Sequence, residues 1–198
     1  MRRILIILLT VVTGYTCMAQ EKVDLEKLTF KEDPHVILKN HKRTADPVEP
    51  LTTLPAYTTY DMAGFSFGPV ALTEHCYVAF ILNSIAEKKQ VGLLVGFETA
   101  PESKAINKYI FQKYGKPVII AAEKQLTDKN NKPYPGSSAY MWRNVRPGVT
   151  MVLSKSYVSE NGKQTENTEL VLINNDAKPS YVSSVKTVLD KIIKTYTP

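Results

Sequence analysis

Two neighbouring apolar runs constrain this chain most: Cys76-Tyr77-Val78-Ala79-Phe80-Ile81-Leu82, and Val91-Gly92-Leu93-Leu94-Val95-Gly96-Phe97 opened by Gln90. Each has the length of a buried strand, and neither approaches the roughly 20 residues that a membrane helix needs. Segments this apolar have to be covered by other elements. The polar stretch Ala86-Glu87-Lys88-Lys89-Gln90 between them reads as their connection.

The elements around these runs follow from local chemistry. Upstream, a strand over Met62–Leu72 carries Gly64, Gly68 and Pro69, which predict a bulge or bend. Downstream, Thr99-Ala100-Pro101-Glu102 has the form of a capping box. Ile106, Tyr109, Ile110 and Tyr114 then recur at helical spacing, and Gly115 and Pro117 end the helix. Strands follow over Pro117–Gln125, Ala139–Val145, Val149–Val158 and Thr168–Asn174, with Asn161-Gly162 as a hairpin turn. A second helix is expected from Ser180. Its apolar face is Val182, Val185, Leu189, Ile192, Ile193 and Tyr196, and Asp190 pairs with Lys194 on its wet face. Strands, helix, strands, helix is not the alternation of a doubly wound fold. The order predicts an α+β domain: an antiparallel or mixed sheet of about six to seven strands with two helices packed on one face.

The first nineteen residues have another character. Arg2 and Arg3 precede an apolar run from Ile4 to Val12, and a short polar region ends in Cys17-Met18-Ala19. This is the tripartite pattern of a secretory signal peptide over 1–19, with cleavage expected between Ala19 and Gln20. Lipoprotein processing at Cys17 is the lesser alternative, because Gly14-Tyr15-Thr16 departs from a lipobox at both ends. An exported protein, periplasmic or extracellular, is therefore expected. Cleavage also removes Cys17 and leaves Cys76 without an intramolecular disulfide partner. Lys plus Arg falls from 25 to 23 against 19 acids, a charge of about +4 with no basic block, which argues against nucleic acid as a partner.

Residues 20–56 read as an N-terminal arm and a Pro-rich linker, with Pro47, Pro50 and Pro55 closely spaced, and residues 57–198 as the single α+β domain. Two readings of the arm stand side by side, an added edge strand and a wholly disordered tail, and self-association through the arm is one partner hypothesis.

Reactive constellations are sparse. Glu74-His75-Cys76 is the most tempting, yet strand neighbours point to opposite faces, and Cys76 shares its side with Val78, Phe80 and Leu82. His35 and His41 lack metal-ligand spacing, so neither a metal nor a cofactor is expected. The strongest ligand-binding candidate is Tyr134, Tyr140, Trp142 and Arg143. Tyr140 and Trp142 lie two apart on a strand and face one way, beneath the loop that carries Tyr134. The competing reading places Trp142 in the core under the C-terminal helix. The functional expectation is an exported, non-catalytic protein that binds a partner or small ligand in a bacterial envelope. The alternative is a secreted or periplasmic hydrolase assembled from His75 or the acids Asp61, Glu74 and Glu98. The phrase Tyr114-Gly115-Lys116-Pro117 and the strands after it are architectural and assign no family.

Overall fold

The two apolar runs form adjacent central strands in the structure, a computed structural model that describes residues 22–47, 54–84, 88–127, 133–160, 163–179 and 186–197. The expected signal peptide, Cys17, the Asn161-Gly162 turn and the stretch 180–185 lie outside the described residues. In chain order the elements begin with β1 (Val23–Asp24), a 3-10 turn over Leu25–Lys27, α1 (Pro34–Ile37), β2 (Thr44–Pro47), β3 (Pro55–Thr59), β4 (Phe65–Phe67) and β5 (Val70–Ala71). Then come β6 (Cys76–Leu82), β7 (Gln90–Phe97), α2 (Ala100–Tyr114), β8 (Val118–Ala121), β9 (Gln125–Thr127) and β10 (Pro133–Pro135). The last are β11 (Ser138–Arg146), β12 (Val149–Glu160), β13 (Lys163–Asn174) and α3 (Val188–Tyr196).

The α+β class is as expected. Its centre is an eight-stranded sheet in the order β2-β3-β6-β7-β13-β12-β11-β8, one strand more than expected, with every neighbouring pair antiparallel. Side chains alternate across it. Val78, Phe80, Leu93, Val95, Phe97, Met151, Leu153, Leu170 and Leu172 enter one apolar cluster together with Ile106 and Ile110 of α2. Ala79, Ile81, Leu94, Val152, Val171 and Ile173 enter the other, together with Val188, Leu189 and Ile192 of α3. The two long helices therefore cover opposite faces, where one shared face was expected. This two-sided cover is why β6 and β7 read as continuous apolar runs: a strand buried on both faces has no polar side to show.

Three local corrections follow. The strand expected over Met62–Leu72 is instead the tight hairpin β4–β5, turning through Gly68 at φ 56°. It joins β1, which runs parallel to β4, in a small separate sheet. At the start of α2, Thr99 makes no side-chain cap to an amide. Its hydroxyl donates to the Glu102 carboxylate at 2.5 Å, and Thr73 donates to the other carboxylate oxygen. α3 begins at Val188, where Thr187 and Asp190 form a reciprocal capping box, so Asp190 is committed to the helix start.

The segment read as an arm is built into the core. Leu25, Leu28, Phe30 and Leu38 are buried in the cluster beneath α2, and β2 adds the edge strand beyond β3. Glu26 locks this segment to α2. Its carboxylate accepts from the hydroxyls of Tyr109 and Tyr114 and from the Lys113 ammonium, each at 2.7 Å. Among the described residues, no helix is long and apolar enough to cross a membrane.

Candidate functional site

Trp142 is 5% exposed, and its indole N–H donates to the Gly115 carbonyl at 2.9 Å. It is a core residue, as the competing reading held, but it lies under the C-terminal end of α2 and not under α3. Tyr140 shares its side and is half-buried. Phe111 of α2 covers both, edge-on, with ring centroids 5.6 Å from Tyr140 and 5.2 Å from Trp142. The structure does not bring the other two candidates into this group. Arg143 follows Trp142 into a bulge of β11, where Asn144 has φ 54°, and it is exposed. Tyr134 belongs to the separate β9–β10 ribbon, where it faces Leu126 across the pair.

The residue that makes a surface of this cluster is Phe111, which is 39% exposed. It lines a groove of about 440 Å³ between α2 and the β12–β13 hairpin. Ala100, Lys104, Asn107, Lys108 and Phe111 form the helical wall, spaced so that they share one face of α2. Lys155 and Glu166 form the hairpin wall, with Lys155 Nζ 3.7 Å from Glu166 Oε1. The hairpin can act as a wall because β7 pairs with β13 only over Thr168–Ile173, so Lys163–Asn167 continue past β7 while still paired with β12. Three ammonium groups and one carboxylate give the groove a positive balance, and an aromatic ring closes one end. The sequence signal for Phe111 was present: it is a large apolar residue off the Ile106–Ile110 stripe of an amphipathic helix.

The residues considered for hydrolysis are distributed differently. Cys76 is 1% exposed, and burial first of all pushes its thiol up to about 11, which withholds the thiolate that a nucleophile needs. His75 is exposed, and its Nε2 lies 3.9 Å from Glu74. Asp61 and Glu74 line one groove of about 590 Å³ together with Lys22 and Tyr60. Asp61 is engaged by His41 Nδ1 at 3.2 Å, whereas the Glu74 side chain is 88% exposed. Glu98 is not part of that lining, and its amide donates to the His75 carbonyl. Among the described residues, no three His, Cys, Asp or Glu side chains converge as metal ligands.

No family model, curated protein or solved structure matches this chain.

Proposed function

We propose that this chain is an exported, non-catalytic binding protein of a bacterial envelope, and that an anionic ligand or partner segment occupies the groove between α2 and the β12–β13 hairpin. The observation that carries the reading is the groove's composition. Lys104 and Lys108, one helical turn apart, face Lys155 across it, and Phe111 offers an aromatic contact at its end, backed by Tyr140 and Trp142. Ammonium groups set around a partly desolvated ring favour a ligand with both negative charge and an apolar face. Export rests on the pattern from Met1 to Gln20, and mass spectrometry of the secreted form should find Gln20 at its N-terminus.

Calorimetric titration with a polygalacturonate oligomer, a glutamate hexamer and a neutral counterpart of each tests the binding reading. The acidic probes should bind and the neutral ones should not. Affinity should fall as salt is raised, because exposed charges are screened within about 8–10 Å at ordinary ionic strength. Reversing Lys104 and Lys108 to Glu should weaken binding by about tenfold or more, since like charges then face the ligand. Equal binding of acidic and neutral probes, or no binding of any, would count against the assignment.

A second reading, hydrolysis, is favoured by one observation: Asp61 and Glu74 line the same groove. It predicts glycoside or ester cleavage that Glu74→Gln abolishes.

A further inference from the structure

Part of the hairpin that walls the α2 groove is an open strand edge. β12 and β13 stay in register all the way from Glu160 opposite Lys163 to Val149 opposite Asn174. β7 accompanies β13 only over Thr168–Ile173, because β7 ends at Phe97 and Thr99 already caps α2. The Glu98 amide turns to the His75 carbonyl instead. Among the described residues, no strand takes up the line of β7 beside Lys163–Asn167. On that side, alternate residues of the stretch present N–H and C=O groups that no strand pairs.

The two outer edges of the sheet are guarded. β2 carries Pro47, and β8 follows Pro117 and has a register shift against β11. Prolines and bulges keep a strand edge from accepting another chain. Lys163–Asn167 has no proline, no glycine and no shift against β12. The matching stretch of β12, Ser156–Glu160, is also free of β11. The β13 edge differs in that its empty line is the one from which the chain departs into α2.

The groove beside this edge selects what would fill it. In a strand added here, the side chains on the same face as Glu166 enter the groove. There Lys104 and Lys108 are exposed and have no acidic partner among the described residues. The one carboxylate of the lining, Glu166, is already beside Lys155, at 3.7 Å. A polysaccharide answers the ammonium groups but lacks amides and carbonyls in strand register. An acidic peptide answers both.

We propose that Lys163–Asn167 of β13 receives an extended acidic peptide by strand addition, antiparallel to β13 along the line that β7 leaves, with acidic side chains toward Lys104 and Lys108. The proposal rests on the reading of this groove as an anion site and narrows the occupant to a polypeptide. Backbone hydrogen bonds supply the affinity, and alternate side chains supply the preference for negative charge.

Calorimetry and amide hydrogen exchange on the whole protein test this with three probes of equal charge: the glutamate hexamer, the same hexamer N-methylated at every peptide bond, and the polygalacturonate oligomer. The hexamer should bind about tenfold or more tightly than the other two, the difference that one or two net hydrogen bonds make. It alone should slow exchange at amides within Lys163–Asn167, since exchange reports the protection of individual segments. If polygalacturonate binds as tightly as the hexamer, the anion site stands and strand addition falls. If no acidic probe binds, both fall. The proposal is also overturned if N-methylation leaves the affinity unchanged, or if the hexamer binds without slowing exchange in this stretch. Amides there that are slow without peptide at high protein concentration, and fast on dilution, would assign the edge to a second copy of the chain and overturn it as well.

Discussion

At the scale of single residues, the pair Tyr77 and Glu169 shows how one substitution settles its neighbours. The Tyr77 ring lies against Gly96, where an added Cβ would sit 1.9 Å from a ring carbon, so only glycine admits it. The hydroxyl of that ring donates to Glu169 Oε1 at 3.0 Å. Burial raises the Glu169 carboxyl above the ordinary range, and the bond from Tyr77 only partly opposes this. A carboxyl raised on folding binds its proton more tightly in the folded state. Its contribution to stability is therefore lost as pH rises from the unfolded to the folded pKa, and it stays lost above. Glu169→Gln keeps an acceptor for Tyr77 and removes the buried charge. It should melt at a higher temperature than the wild type near neutral pH. That advantage should vanish below the ordinary carboxylate range, as followed by thermal denaturation at several pH values. A constant difference at all pH values would show that the charge is not the cause.

Some of this was legible in the residues and some was not. The alternation that turned Cys76 inward is visible in its spacing from Val78 and Phe80, and the structure agrees. The same alternation placed Tyr140 and Trp142 on one side, also correctly. It could not show that Phe111 would lie over both, because that contact joins a helix to a strand far along the chain. Spacing alone did not reveal the bulge that sets Arg143 apart, although Asn144, whose φ is 54°, is a residue type that tolerates the left-handed region.

At the scale of elements, the ends of helices were the least legible. The motif at Thr99 matched a capping box, yet the Glu102 carboxylate binds Thr73 and Thr99 hydroxyls instead of the Thr99 amide. Thr73 comes from the turn before β6, and tertiary contact overrides the local pattern. The box at Thr187 and Asp190 marks the helix start, yet it stands inside an apolar spacing that continues upstream to Val182. Thr187→Ala should cost about 1 kcal/mol, the ordinary value of an N-cap, measured by denaturant unfolding. An unchanged midpoint would place the helix start elsewhere.

At the scale of the whole molecule, the sheet is sandwiched between α2 with the N-terminal segment on one face and α3 on the other. The order of elements suggested cover on one face only. Order limits how elements connect, whereas the unbroken apolar runs of β6 and β7 are buried on both faces. The N-terminal segment belongs to this account. Each fully buried Leu or Phe contributes about 1.5–3 kcal/mol. Leu25, Leu28, Phe30 and Leu38 together thus rival the whole stability of an ordinary domain, about 5–15 kcal/mol. Removing residues 22–43 should leave a protein without a cooperative thermal transition. A shortened protein that melts as sharply as the full chain would mean the segment is dispensable.

The proposed groove has its own reporter. Trp142 is the chain's sole tryptophan, and Phe111, which lines the groove, packs against it. Titration of the wild type with the polygalacturonate oligomer should change Trp142 emission with the same midpoint as the heat of binding. Phe111→Ala should silence the optical change while leaving weaker heat. Heat without any change in Trp142 emission from the wild type would put the ligand elsewhere and contradict the assignment of the groove.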